Sequence, residues 1–330
     1  MDGLRQLLQA DFLGTPAALW LGFLAIVILL LALDLGVLHR KERSVEAKES
    51  LLLSAAYIAI GLGFGAALWL LRGPQSGVEY LTGFVIEKTL AMDNVFVIAM
   101  VFSFFAIPRE YQHRVLFWGI VGVILLRAAV IAGGAALLAE FSWILYLFGL
   151  FLVATGARML QHFDKDFSIE DSAILRFLRR HLRVTPALHG NRFLVRLPAS
   201  DAPGARRILW VTPLFLALLV IEAVDIVFAV DSVPAIFAVT QDPFIVYTSN
   251  IFAILGLRAL YFALAALVHR FRYLKISLAA VLVFVGMKIL AAELVGKIPA
   301  WVSLGVTASL LAAGILYSLY RTRLQPGAHR

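Results

Sequence analysis

The stretch ILWVTPLFLALLVIEAVDIVFAVDSVPAIFAVT, residues 208–240, decides the fold class of this chain. It is apolar throughout except for Glu222, Asp225, Asp231 and a few small polar residues. A membrane-spanning helix needs about 20 predominantly apolar residues, so this stretch predicts a span and is longer than one straight crossing requires. Pro234 predicts a kink or a discontinuous helix, because proline lacks an N–H and clashes with the carbonyl four residues back.

Eight other stretches of the chain have the same apolar character. Of the 330 residues, 62% are hydrophobic and 15% are charged, whereas soluble domains have about 45–50% and about 25%. This composition argues against a soluble enzyme, a disordered chain and a nucleic-acid-binding module. We predict an all-α, polytopic membrane protein with nine transmembrane helices. The predicted spans are about 17–38, 50–71, 79–106, 111–139, 143–160, 208–240, 244–268, 273–295 and 298–320.

Basic residues alternate between the loops that join these spans. The odd-numbered loops are basic, with ten Lys and Arg in the fifth, and the even-numbered loops are nearly free of them. Because cytoplasmic loops are enriched in Lys and Arg, the pattern places the N-terminus outside and the C-terminus in the cytoplasm. The net charge of +8 then reflects topology, and we expect the lipid bilayer, not nucleic acid, as the partner.

The fifth loop is the one sizeable segment predicted to lie outside the membrane. DSAILRFLRRHLR at 171–183 predicts a basic amphipathic helix, and RFLVR at 192–196 with RRILW at 206–210 suggests a small hairpin. We expect a connector that rests on the inner leaflet, with a regulatory domain as the alternative. The predicted division is 1–157 for spans 1–5, 158–207 for the cytoplasmic loop and 208–330 for spans 6–9.

Ten charged side chains lie inside the predicted spans, leaving out those at the very ends of a span. Each costs about 2.5–3.5 kcal/mol near the bilayer centre on the insertion scale, so they must pair, face the bundle interior or line a wet path. The four bases are consistent with ion pairs that only hold helices together. We expect them to neutralise carboxylates or to gate a path. Six acids against four bases leave −2, the charge that one divalent cation would neutralise. The bases are Lys88, Arg127, Arg258 and Lys288.

Most of the acids fall in two similar segments, EKTLAMDNV at 87–95 and DIVFAVDSV at 225–233. Each contains an acid, five residues, an Asp, a small polar residue and Val. Span 3 is predicted to run inward and span 6 outward, so the match indicates an inverted repeat of spans 1–3 and 4–6. Transporters built this way bind ions near the midplane, where the repeats meet. The first acid and the small polar residue are seven positions apart and share a helix face.

All the candidate ligands in the spans are oxygen-bearing side chains. Oxygen-only sites suit Mn²⁺, Ca²⁺ or Mg²⁺ better than Zn²⁺ or Cu⁺. Carboxylates lose protons when they bind a metal ion, so a site open to each side in turn would exchange metal for protons. We predict a divalent cation exporter that is not an enzyme and has no resident cofactor. The candidate ligands are Asp34, Glu87, Asp93, Asn94, Glu222, Asp225, Asp231, Ser232 and Asn250.

Four stretches closely resemble the TerC/Alx family of integral membrane proteins. They are LALDLGVLHRK at 31–41, EKTLAMDNVFVIAM at 87–100, VTPALHGNRFLVR at 184–196 and EAVDIVFAVDSVPAIFAVTQDPFIVYTSNIFAILGLRALYF at 222–262. The resemblance implies a multi-pass bacterial inner-membrane protein that exports Mn²⁺, in a family associated with tellurium resistance. It marks as site residues Asp34, Glu87, Asp93, Glu222, Asp225, Asp231 and Asn250.

Two other functions remain open on the sequence. The protein is a non-transporting scaffold or insertion factor if the basic loop is its working part. It is a membrane redox component, as some family members are labelled, if it binds a redox group. The chain contains no cysteine, so it carries no thiol redox chemistry of its own.

Overall fold

The computed structural model describes residues 10–38, 47–141, 143–161, 173–198, 206–264, 274–292 and 298–324. Within these ranges the protein is mostly helical. The helices are α1 (Ala17–Leu38), α2 (Ala47–Arg72), α3 (Pro74–Phe104), α4 (Arg109–Glu140), α5 (Ile144–Gln161), α6 (Ala173–His181), α7 (Pro213–Phe237), α8 (Pro243–Leu255), α9 (Leu257–Leu264), α10 (Leu274–Leu290) and α11 (Ala300–Leu324). The strands are β1 (Asp11–Phe12), β2 (Thr15–Pro16), β3 (Leu194–Pro198) and β4 (Arg207–Val211).

Six helical segments of the described chain are long and apolar enough to cross a membrane. Two shorter apolar helices, Ala17–Leu33 and Ile276–Leu290, add to them. Large apolar side chains cover the outer faces, and Leu52 and Leu70 are 73% and 85% exposed, as expected of surfaces that lipid covers. The coarse prediction of a helical, multi-pass membrane protein is confirmed. The six segments are Lys48–Arg72, Arg109–Glu140, Ile144–Gln161, Pro213–Phe237, Pro243–Ala263 and Trp301–Ser318.

Each of the nine predicted spans contains helix in the described residues. The third is α3, whose 31 residues include Glu79, Glu87, Lys88 and Asp93, and these charges set it apart from the six segments above. Nine crossings, the inverted repeat and the orientation of the termini stay predictions.

The sixth predicted span differs at both ends from its expected form. Its first residues form strand β4, and α7 begins only at Pro213, where Thr212 caps the helix by accepting a hydrogen bond from the Phe215 N–H. Helix α7 then continues through Pro234 to Phe237, so it is not discontinuous at the proline. Pro234 lies in the last turn of α7, so the backbone hydrogen bond that the proline removes is close to the end of the helix.

The interruption lies instead in the seventh predicted span, where Gly256 separates α8 from α9. Gly256 has φ −82° and ψ 2°, which takes the backbone out of the helix. The Lys88 ammonium donates a hydrogen bond to the carbonyl oxygen of Ala253 at 3.1 Å. A cation thus satisfies a carbonyl at the C-terminal end of α8, where the helix dipole favours positive charge.

Helix α6 and the hairpin of β3 and β4 form a basic unit between α5 and α7. The strands are antiparallel, with Leu194 opposite Val211. The guanidinium of Arg179 lies 5.8 Å from the ring centroid of Phe104, and that of Arg114 lies 5.1 Å from that of Phe193. These cation–π contacts hold the unit against the end of α3 and the start of α4. Its cytoplasmic location and domain limits stay predictions.

Helix α3 lies at the centre of the bundle and packs against α2, α7, α8 and α11. Helix α4 also packs on α7 and α8, and α10 packs tightly on α5. Four helices, α3, α4, α7 and α8, therefore meet in the interior. Glu87, Arg127, Asp225 and Asn250 lie on these four helices, one on each.

Candidate functional site

The guanidinium group of Arg127 lies at the point where α3, α4, α7 and α8 meet. Arg127 is on α4 and is 1% exposed. Its Nη1 donates hydrogen bonds to Glu87 Oε1 on α3, to Ser232 Oγ on α7 at 3.0 Å and to Asn250 Oδ1 on α8 at 3.1 Å. Its Nε and Nη2 donate to the two oxygens of Asp225 at 3.2 and 3.0 Å. Because Nη1 has only two hydrogens, its three acceptors share them, and one arginine therefore joins four helices through contacts with five acceptor atoms.

Two buried carboxylates lie against this one cation. Glu87 is fully buried and Asp225 is 5% exposed, and both form ion pairs with Arg127. The formal charge of the three side chains is −1 when both acids are ionised. Buried charges are expensive unless they are paired and hydrogen-bonded, so the arginine is what permits two carboxylates at this depth.

Several polar atoms around Arg127 are buried without a partner among the described residues. Asn94 donates to Asp225 Oδ1 at 3.2 Å, but its own Oδ1 accepts no hydrogen bond. Glu87 Oε2 and Asn250 Nδ2 also lack partners. Buried polar groups are normally satisfied, and unsatisfied ones cost about 1–3 kcal/mol each. The cluster thus offers two unused acceptor oxygens, on Glu87 and Asn94.

The structure brings together five of the nine predicted ligands, and a sixth, Glu222, lies nearby. The five are Glu87, Asn94, Asp225, Ser232 and Asn250. The side chains of Asp34, Asp93 and Asp231 lie outside the described part, although the backbones of α1, α3 and α7 carry them. Among the described side chains no group of three or more His, Asp and Glu is placed to hold a metal ion. A complete metal site stays a prediction.

Glu222 lies one turn before Asp225 on α7, where it contacts α4. Both of its carboxylate oxygens are buried, and neither has a hydrogen-bond partner in the described structure. Its Oε1 is 3.8 Å from where a Cβ at Gly119 would lie, and a Cβ at Gly122 would overlap the carboxylate. Gly122 therefore makes the space that this side chain occupies, whereas a Cβ at Gly119 would be in ordinary van der Waals contact with it.

A small cavity of about 30 Å³ adjoins the cluster, and Asn94 and Asp225 form part of its wall. Its other lining residues are apolar except for Arg258, which is 5% exposed on α9. Lys288 lies elsewhere, half-buried on α10, in a separate open cavity that Glu79 also lines. Of the four predicted bases, Arg127 pairs with the central acids, and Lys88 binds the end of α8 instead.

Three features of this site were not predicted from the sequence. They are the glycine recess for Glu222, the break at Gly256 and the contact of Lys88 with a backbone carbonyl. Gly119 and Gly122 are spaced to share a face of α4, and a glycine in an apolar helix is a signal for close approach. The contact of Lys88 required knowledge of how α3 and α8 pack.

Comparison with known proteins agrees with this architecture. Residues 72–325 match the family described as integral membrane protein TerC family. An uncharacterised membrane protein of Myxococcus xanthus is 50% identical over 313 residues, 95% of each chain. An Escherichia coli K12 protein, named as a candidate membrane-bound redox modulator, Alx, is 44% identical over 308 residues, 90% of this chain and 92% of its own. No solved structure matches. This chain belongs to the TerC family of integral membrane proteins.

Proposed function

We propose that this protein exports a divalent metal cation, Mn²⁺ first among the candidates, in exchange for protons across the bacterial inner membrane. The observation that carries the proposal is a pair of acceptor oxygens, Glu87 Oε2 and Asn94 Oδ1, which are buried near Asp225 and accept no hydrogen bond from any described residue. Carboxylates and amides buried without partners are costly as a purely structural feature. A cation that visits the site would satisfy them.

The ligand chemistry favours a hard divalent ion. The described cluster provides carboxylate, amide and hydroxyl groups from α3, α7 and α8, and the chain contains no cysteine. Such a set suits Mn²⁺, Ca²⁺ or Mg²⁺. Asp93 and Asp231 lie on the same helices and are expected to complete it. Metal binding would release protons from these acids, which supports coupling of export to proton entry.

The contacts between the two acidic motifs support an inverted repeat. Asn94 of the first motif donates to Asp225 of the second. In the opposite sense, Glu87 of the first motif and Ser232 of the second share the same Arg127 nitrogen. Crosswise contacts of this kind are what a two-fold relation between equivalent segments produces, and ion sites of transporters lie at such repeat interfaces.

A redox role is the second candidate, because relatives such as the Escherichia coli protein carry that name. A chain without cysteine needs a bound redox group for such a role. A visible absorption band that copurifies with the protein and changes on reduction would favour it. Under the transport proposal the protein is not an enzyme and keeps no resident cofactor, and the metal ion is its substrate.

The test is Mn²⁺ flux into or out of proteoliposomes under an imposed pH gradient. Asp225→Asn removes one central acid, whereas Asp242→Asn makes the same change at the start of α8, in an ion pair with Arg72 outside the cluster. We expect gradient-driven flux in the wild type and in Asp242→Asn, and none in Asp225→Asn. Asp93→Asn and Asp231→Asn are expected to behave like Asp225→Asn.

The folded state of each variant is checked by its elution from a sizing column and by its thermal unfolding. Flux that survives in Asp225→Asn would show that the ion passes elsewhere. Absence of Mn²⁺, Ca²⁺ and Mg²⁺ flux in well-folded wild type would reject transport. The basic unit of α6, β3 and β4 would then be the first place to seek a scaffold function.

A further inference from the structure

Four of the groups proposed to bind the metal ion are also hydrogen-bonded to Arg127. Its guanidinium contacts an oxygen of each acid and those of Ser232 and Asn250. Among the described residues it is the cation at the centre of the cluster. A metal ion that bound Glu87 and Asp225 together would find both Asp225 oxygens already accepting hydrogen bonds from the guanidinium.

Charge makes shared occupancy unfavourable. If only Arg127 and the two acids with which it forms ion pairs are counted, the formal charge is −1, and a divalent ion would bring it to +1. With Arg127 withdrawn, the same ion and two acids sum to zero. Positive charges repel strongly in a site from which water is excluded, so the guanidinium and the metal ion compete for one position.

Two oxygens of the cluster that accept no hydrogen bond from a described residue are available to bind the ion. Glu87 Oε2 and Asn94 Oδ1 are both buried and accept no hydrogen bond in the described structure. Asn94 also lines the small cavity of about 30 Å³ beside the cluster, whereas Glu87 is not one of its lining residues. An ion that reached Asn94 from this cavity would meet an amide that Arg127 does not contact, before it displaced any contact of the arginine.

We propose that Arg127 is a tethered counter-ion, which occupies the cation site when it is empty and yields it to the divalent ion. The inference rests on the transport function proposed above and names the residue that sets the affinity of the site. Because the guanidinium joins α3, α7 and α8 to α4, its withdrawal releases four hydrogen-bonded partners at once. Metal binding is thereby linked to how these helices are held together, which is the kind of coupling that alternating access needs.

The test is equilibrium binding of Mn²⁺ to the purified full-length protein in nanodiscs, with Arg127→Gln as the test variant. Arg72→Gln is the matched control, since it removes an arginine from an ion pair with Asp242 at 2.8 Å outside the cluster. We expect Arg127→Gln to bind Mn²⁺ about tenfold more tightly than wild type, or better, because a competing charge is gone. Arg72→Gln should bind like wild type.

A purely structural role for Arg127 predicts a different result. Mn²⁺ affinity that is unchanged or weaker in Arg127→Gln overturns the proposal. Thermal unfolding gives a second readout, in which Mn²⁺ should raise the Tm of Arg127→Gln more than that of wild type. If Arg127→Gln does not fold even with Mn²⁺ present, Arg127→Lys decides the matter. Lysine keeps the charge but loses the two-pronged contact with Asp225, so this variant should also bind Mn²⁺ more tightly than wild type.

The outcomes separate this inference from the function on which it rests. If wild type and Arg127→Gln both fail to bind Mn²⁺, Ca²⁺ and Mg²⁺, the proposed function fails and this inference fails with it. If wild type binds Mn²⁺, Asp225→Asn abolishes binding and Arg127→Gln does not tighten it, only the counter-ion role is wrong.

Discussion

Two arginine–aspartate pairs in this protein have similar geometry and opposite surroundings. Arg72 and Asp242 are 2.8 Å apart where α2 ends and α8 begins, and both side chains are more than a fifth exposed. Arg127 and Asp225 are 3.0 Å apart, and the side chains are 1% and 7% exposed. The distances are nearly the same, but the burial is not.

Burial changes how much an ion pair of this kind can contribute to stability. Exposed ion pairs contribute about 0–1 kcal/mol to stability. Buried ion pairs lose hydration that their attraction barely restores, so apolar residues of the same size often stabilise a protein as well or better. Stability alone therefore does not account for Arg127, Glu87 and Asp225. The cation-binding role proposed above would account for them, since that role requires carboxylates in a place with little water.

Removal of the buried arginine should have the largest effect on stability. Arg127→Gln leaves the carboxylates of Glu87 and Asp225 without their cation, at a cost of about 3–5 kcal/mol in the absence of metal. The measurement is equilibrium unfolding in mixed detergent micelles. A second change, Asp225→Asn in the same chain, should restore part of the loss. A loss no greater than that of Arg72→Gln would contradict the distinction between the two pairs.

A smaller effect is expected from the recess beside the buried pair. A Cβ at Gly122 would overlap the Glu222 carboxylate, so Gly122→Ala should destabilise the protein by about 1–3 kcal/mol through overpacking. At Gly133, on the same helix, an added Cβ would have no atom of another residue within 4 Å. Gly133→Ala should be neutral or stabilising by up to about 1 kcal/mol. Equal stability of the two variants in the same unfolding assay would show that Glu222 is free to move aside.

The smallest effect is expected at the exposed pair. Arg72→Gln should lower the free energy of unfolding by about 1 kcal/mol or less. The difference from wild type should shrink as the ionic strength rises, because salt screens exposed charges. The comparison needs unfolding curves at low and high salt for both proteins. A large loss that salt does not change would mean that this pair too is effectively buried, for example by lipid.

The sequence alone placed several of the site residues correctly on their helices. Spacing of seven residues put Glu87 with Asn94, and Asp225 with Ser232, on shared faces, and all four now contact one another or Arg127. Charged residues in apolar sequence also indicated that they must face the interior. These inferences depend on helix periodicity and on the cost of burying charge, which act locally or on single residues.

The remaining features depend on tertiary packing, which the sequence does not display. Pro234 predicted a break in α7, yet the helix continues through it, and the break lies at Gly256. The strand at Arg207–Val211 took the first residues of a predicted span, because apolar β-branched sequence suits a strand as well as a membrane helix. To predict which acids pair with Arg127, one would need the relative positions of four helices.

The most direct test of the account is to locate the metal ion itself. Crystals of the protein grown with Mn²⁺ would be examined for anomalous scattering at the point where α3, α4, α7 and α8 meet. We predict a peak within about 2.0–2.6 Å of oxygens of Glu87 and Asp225, the range of hard divalent ions, with the Arg127 guanidinium withdrawn from both. A bound Mn²⁺ ion elsewhere in the protein, with Arg127 still paired to both carboxylates, would contradict the account.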